Sequence, residues 1–270
     1  MTRYASTFER CPEGALGAFL MLGDPGISEC EAYLDALVEG GADMLELGIP
    51  FSDPVADGPV IQAAAVRALK AGVRTADCLA MIGRFRKRHP AIPVGVLTYA
   101  NIVNARGIER FAGELSEAGV DSLLVADVPS LEAEPYSAAA KAAGVDLVMI
   151  AAPNTPTATI DRIAQLSSGY TYCVARAGVT GADRHLQLDH KGLFAALEKA
   201  GTAPPILGFG ISSANQVAEA LIHGAAGVIC GSAIVQRVAD RASPSEVAAF
   251  VRELKAATEA QRLDFAPAAL

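Results

Sequence analysis

Short apolar runs recur along the chain, each introduced by a glycine and one or two small or acidic residues. They stand at Gly41-Ala42-Asp43-Met44-Leu45, Gly119-Val120-Asp121-Ser122-Leu123-Leu124-Val125, Gly144-Val145-Asp146-Leu147-Val148-Met149-Ile150 and Gly224-Ala225-Ala226-Gly227-Val228-Ile229-Cys230. The glycine suits the left-handed position that closes a helix, and an unbroken apolar run suits a strand covered on both faces, as in parallel sheets. Gly119, Gly144 and Gly169 are evenly spaced, a repeat that holds one strand, one loop and one helix. Such runs predict eight strands, near residues 18–22, 43–48, 94–98, 122–126, 146–151, 170–175, 205–209 and 227–230. Helical patterns lie between them. Residues 60–70 are one, with Pro59 in a first-turn position and Gly72 just past the end.

Eight strand–helix units in about 250 residues predict an α/β fold, a single (β/α)8 TIM barrel, with an open doubly wound sheet as the alternative. No linker-like stretch divides the chain, so residues 1–270 are read as one domain. Residues 2–11 read as an extra helix across the barrel floor, and residues 264–270 as a frayed tail.

Composition narrows the class. An apolar fraction of 51%, a charged fraction of 19% and a mean hydropathy of +0.31 describe a globular protein with a large core. The net charge is −8, and the one dense basic run, Arg84-Phe85-Arg86-Lys87-Arg88-His89, reads as the solvated end of a helix rather than a nucleic-acid patch. Five scattered cysteines without a C-x-x-C pair suit reduced thiols and a cytoplasmic address. No apolar run reaches the ~20 residues that span a bilayer, and the first residues lack a signal-peptide core. None of the four histidines has a partner at metal-ligand spacing, so no metal is expected.

Chemistry in a barrel gathers at the carboxyl ends of the strands. Glu46 lies near the end of the second strand between Leu45 and Leu47, and alternation aims it away from both. A carboxylate buried there must be paired, protonated or wet, which fits a functional group and a structural ion pair equally well. The loop that follows carries Asp53, Asp57 and three prolines. Asp57 also suits a helix cap, and Asp53 a turn. At the far end, Gly208-Phe209-Gly210 follows strand seven and Gly231-Ser232 precedes a short helix after strand eight. Glycine loops and a helix start in that place suit a phosphate. Residues 176–185, polar and glycine-hinged, suit a lid over the site, and Tyr172 is placed to present a phenol to the mouth.

The segments ELGIPFSDPVADGP (46–59), LGDPG (22–26), YAN (99–101), LVADVP (124–129), YTY (170–172), RAGVTG (176–181), GFGIS (208–212) and GSAIV (231–235) occur in an order that closely resembles the tryptophan synthase alpha subunit family. The resemblance implies a barrel lyase that cleaves indole-3-glycerol phosphate to indole and glyceraldehyde 3-phosphate. It also implies a beta-subunit partner in an alpha2beta2 assembly, with pyridoxal phosphate on the partner and no cofactor in this chain. By motif, Glu46 matches the general acid/base, Asp57 the second catalytic carboxylate and Tyr172 a group beside them. Gly181, Gly210, Gly231 and Ser232 match phosphate-binding positions, while Phe19, Tyr99 and Phe209 match an indole pocket. Arg176 and Thr180 belong to the lid, and Asp53 and Asn101 to the partner face. Met21, Ala175 and the lid continuation ADRHLQLD depart from the usual pattern. A standalone lyase and a non-catalytic barrel that regulates a beta subunit are the alternatives.

Overall fold

The computed structural model describes residues 1–174, 190–208 and 210–259. Its strands all pair in parallel: β1 (Ala15–Met21), β2 (Met44–Gly48), β3 (Val94–Thr98), β4 (Ser122–Val125), β5 in two pieces (Asp146–Leu147 and Ile150–Ala151), β6 (Thr171–Cys173), β7 (Pro205–Gly208) and β8 (Gly227–Cys230). Around the sheet, the first piece of β5 lies beside β4, followed by β3, β2, β1, β8, β7, β6 and the second piece of β5. Both ends of the sheet are therefore the same strand. Between its pieces the Val148 amide donates to the Leu123 carbonyl at 2.9 Å, and the Tyr172 amide donates to the Met149 carbonyl at 3.0 Å from the other side. These bonds close the barrel and rule out the open doubly wound sheet. β1 begins earlier than its apolar run suggests, because Ala15 and Leu16 pair with Gly227 and Val228.

The helices are α1 (Arg3–Arg10), α2 (Ile27–Glu39), α3 (Pro59–Lys70), α4 (Thr75–Arg88), α5 (Ala100–Arg106), α6 (Ile108–Ala118) and α7 (Glu134–Ala143). They continue with α8 (Thr157–Leu166), α9 (Lys191–Ala200), α10 (Ala214–Ile222), α11 (Ser232–Ala239) and α12 (Pro244–Glu259). Gly119 and Gly144 close α6 and α7 with φ of 81° and 72°, a conformation that costs a residue with a Cβ but not glycine. The acidic residue after such a glycine has its own task. The Asp43 carboxylate accepts from the Leu16 amide at 2.8 Å, and Asp121 from the Val94 amide at 2.8 Å, so each satisfies an N–H at the start of a neighbouring strand. Lys255 neutralises Asp43, and Arg3 and Arg86 neutralise Asp121.

Two cores result. Leu45 and Leu47 face the helix layer, as do most apolar strand residues. Met44, Phe19, Met21, Leu124, Tyr172, Ile206 and Ile229 fill the barrel, and Ile61, Ala64 and Ala65 of α3 join them. α1 closes the floor as expected: Tyr4 is 1% exposed, its ring lies 5.3 Å from that of Tyr170, and its phenol meets the Ser122 hydroxyl at 2.8 Å. The basic run at the end of α4 differs from its reading as a solvated end. Arg86 is half-buried and donates to Gly119, Ile92 and Asp121, while Arg84, Arg88 and His89 reach Glu31 and Asp35 of α2. Acidic residues on the adjacent helix, which linear spacing does not reveal, convert the run into a clamp. No described helix is long and apolar enough to cross a membrane.

Candidate active site

Parallel register sets Glu46 opposite Phe19 of β1 and Gly95 of β3, facing the barrel interior. It is 3% exposed, and the Tyr170 phenol donates to its Oε1 at 3.0 Å. Burial pushes its carboxyl up to about 8; the Tyr170 hydrogen bond opposes this, and the nearby Asp57 charge adds to it. Among the described residues no cation pairs with Glu46, which leaves the ion-pair reading without support there.

Asp57 arrives from the loop between β2 and α3. Its amide donates to the Pro54 carbonyl at 3.0 Å, and Gln62 Nε2 donates to its carbonyl at 2.8 Å, which fixes the backbone. The cap of α3 is Gly58 without a side-chain bond, so the Asp57 carboxylate is not spent on capping. It is buried instead. Burial raises it to about 6 and the Tyr99 bond opposes the rise. The carboxylate is covered, and it still titrates below its neighbour. Two buried acids with separated proton affinities are an arrangement suited to dividing acid and base roles.

Tyr172 is buried on β6 and feels the charges of both Glu46 and Asp57. A Cβ on Gly208 would stand 2.2 Å from its ring, so glycine on β7 is what lets the phenol lie across the barrel. Phe19 occupies the same layer, its ring edge 2.8 Å from where a Cβ on Gly48 would be and its own Cβ 3.4 Å from that of Gly231. Met21 is buried beside Gly48. Gly210 has φ of 79°, and Gly231 opens α11 with no side-chain cap, so peptide groups face outward at the ends of β7 and β8. Ser232 is exposed there as the first residue of that helix.

Not every expected residue converges on this cavity. Tyr99 is 1% exposed, stacked on Phe51 with ring centroids 5.3 Å apart, and its oxygen accepts from the Ala56 amide at 3.3 Å. It contacts the loop that carries Asp57. Asp53 and Asn101 are exposed, the former accepting from Ser52 Oγ at 2.5 Å. Ala175, Arg176, Thr180, Gly181 and Phe209 lie outside the described residues. Tyr170 is the site residue missed in the sequence. It stands two positions before Tyr172, so strand alternation places both phenols on the interior face, and the signal was present. Among the described residues no group of three His, Cys, Asp or Glu side chains could hold a metal ion.

Residues 6–263 match the family described as Tryptophan synthase alpha chain. The tryptophan synthase alpha chain of Shewanella amazonensis is 49% identical over 265 residues, covering 97% of this chain and 99% of that protein. Its counterpart in Aeromonas hydrophila is 48% identical, covering 96% and 99%. Among solved structures, tryptophan synthase from Mycobacterium tuberculosis superposes with a TM-score of 0.87 at 32% identity, covering 95% of this chain and 98% of that one. The tryptophan synthase α2β2 complex from Pyrococcus furiosus gives 0.83 at 33% identity, covering 90% and 98%.

Proposed function

The chain belongs to the tryptophan synthase alpha chain family, and from that membership we propose that Glu46 and Asp57 divide the acid–base and electrostatic work of its reaction. The reaction is retro-aldol cleavage of indole-3-glycerol phosphate to indole and glyceraldehyde 3-phosphate, a carbon–carbon lyase step of L-tryptophan biosynthesis. Cleavage needs a proton on indole C3, support for positive charge on the ring nitrogen, and removal of the hydroxyl proton beside the breaking bond. Glu46, with its carboxyl near 8, holds the C3 proton at neutral pH. Once that proton is delivered, its carboxylate accepts the hydroxyl proton, the carbon–carbon pair returns to the ring, and Glu46 regains its starting state. Asp57, near 6, is ionised throughout and faces the indole nitrogen.

In this reading Phe19, Tyr99 and Phe209 enclose the ring with Tyr172 beside the two carboxylates, and Gly181, Gly210, Gly231 and Ser232 hold the phosphate. Arg176 and Thr180 belong to a lid. Asp53 and Asn101 face a beta subunit in an α2β2 assembly, with pyridoxal phosphate on that partner and no cofactor here. The chain acts as one barrel domain in the cytoplasm.

The observation that carries the reading is the placement of two buried carboxylates, Glu46 on β2 and Asp57 on the loop that follows it, within reach of each other's charge. Indole release from indole-3-glycerol phosphate, measured with and without added beta subunit, tests it. Glu46→Gln should lower turnover by about 10²–10⁴-fold, the usual worth of one acid/base group. Near-normal indole release by that variant would end the assignment.

A further inference from the structure

We propose that Arg67 is a positioning residue for the cleavage reaction: its two-pronged grip on buried Asp24 sets the register of α3, and α3 in turn holds the backbone of Asp57. This rests on the reading of Asp57 as the loop carboxylate of the site. α3 begins at the end of the Asp57 loop, and the side chains it buries are Ile61, Ala64, Ala65 and Ala68. Alanine methyl groups pack closely but interdigitate little, so apolar contact by itself constrains sliding and rotation of this helix weakly. A planar guanidinium supplies the missing constraint. Arg67 Nε donates to Asp24 Oδ1 and Nη2 to Oδ2, both at 2.7 Å, and two parallel bonds fix direction as well as distance.

Asp24 is a firm anchor for that grip. It is fully buried in the loop after β1, and its amide donates to the Met21 carbonyl at 3.3 Å. Gly23 before it has φ of 80° and lies against Val73, just past the C-terminal end of α3, where an added Cβ would stand 2.5 Å from the valine side chain. At the other end of the helix, Gln62 Nε2 donates to the Asp57 carbonyl at 2.8 Å, and the Gln62 amide donates to the Gly58 carbonyl at 2.9 Å. α3 thus joins the loop of β1 to the loop of β2, with Arg67 towards one end and the acid beyond the other. A displacement of about 1 Å at a reacting group can cost about 10²-fold in rate, so the setting of this helix matters to turnover.

Arg67→Lys keeps a cation beside Asp24 and removes the fork. In the full chain with its beta subunit it should lower kcat about tenfold and change KM for indole-3-glycerol phosphate less than about twofold, because Asp57 acts on charge that develops in the transition state. Parental kcat in Arg67→Lys overturns the proposal, since neutralising Asp24 would then suffice, and so does a loss carried by KM alone. In an Asp57→Asn background the same substitution should cost less than about twofold, because the group it positions is gone. A full tenfold cost there overturns the proposal in favour of a role elsewhere. Near-normal turnover by Asp57→Asn itself removes Asp57 from the reaction, and Arg67 then has nothing to position. Gln62→Met cuts the tie at the exposed end of α3 and should lower kcat in the same way; an unchanged kcat there overturns the proposal even if Arg67→Lys fails to fold.

Discussion

Glu46 keeps its proton at neutral pH because a strand places it among apolar side chains with one neutral donor, Tyr170, and an anion, Asp57, nearby. Asp57 is less deeply enclosed and has its own phenolic donor, so it ionises first. The two values define a pH window. Activity needs Asp57 ionised and Glu46 protonated, so turnover should rise with pH through about 6 and fall through about 8. A bell-shaped rate profile checks this, and a profile flat from pH 5 to 9 would remove both assignments. Tyr170→Phe deletes the donor that opposes the burial effect on Glu46, so the alkaline limb should move to higher pH.

At the scale of elements, the loops that carry the site are braced by buried charge. Asp24, in the loop after β1, is fully buried and receives two bonds of 2.7 Å from Arg67 of α3. The opposite end of α3 follows Asp57, so this pair ties the helix behind the catalytic loop to the strand that bears Phe19. Arg67→Met leaves an uncompensated buried carboxylate and should destabilise the fold by about 3 kcal/mol, the usual scale for breaking such a pair from one side. Chemical denaturation measures this, and a midpoint unchanged from the parent would contradict it. The glycine–acid–apolar signature belongs to the same scale. It announces a helix stop and a strand in sequence, and its aspartates cap neighbouring strand amides at the floor.

For the molecule as a whole, the same burial that sets the chemistry costs stability. Glu46 titrates near 4.5 when exposed and near 8 in the fold. The folded state therefore binds one proton more than the unfolded state between those values, and stability falls as pH rises through that interval. Glu46→Gln removes this linkage. It should turn over about 10²–10⁴-fold more slowly yet be more stable than the parent at pH 8, on the order of 4 kcal/mol, with the difference vanishing near pH 4. Thermal unfolding at the two pH values decides it, and an advantage that is equal at both would show that the carboxyl is not the source.

Much of this was legible in the chain itself. The repeating helix stops, the continuous apolar strands and the even spacing determine alternating strand–helix units, because those signals are local and each element answers to its own neighbours in sequence. The position of Glu46 near the end of a strand determined that a carboxylate would face the interior, since alternation is a local property. Tertiary structure alone decided the rest. Ring closure through an interrupted β5 depends on strands far apart in the chain, and so does the meeting of Arg86 with Asp121. The stacking of Tyr99 on Phe51 and its hydrogen bond from the Ala56 amide belong to the same level, because a contact between the end of one strand and the loop of another is fixed by register and packing. The proton affinities of Glu46 and Asp57 are decided at that same level, for they depend on how completely water is excluded and on which phenols reach each carboxylate.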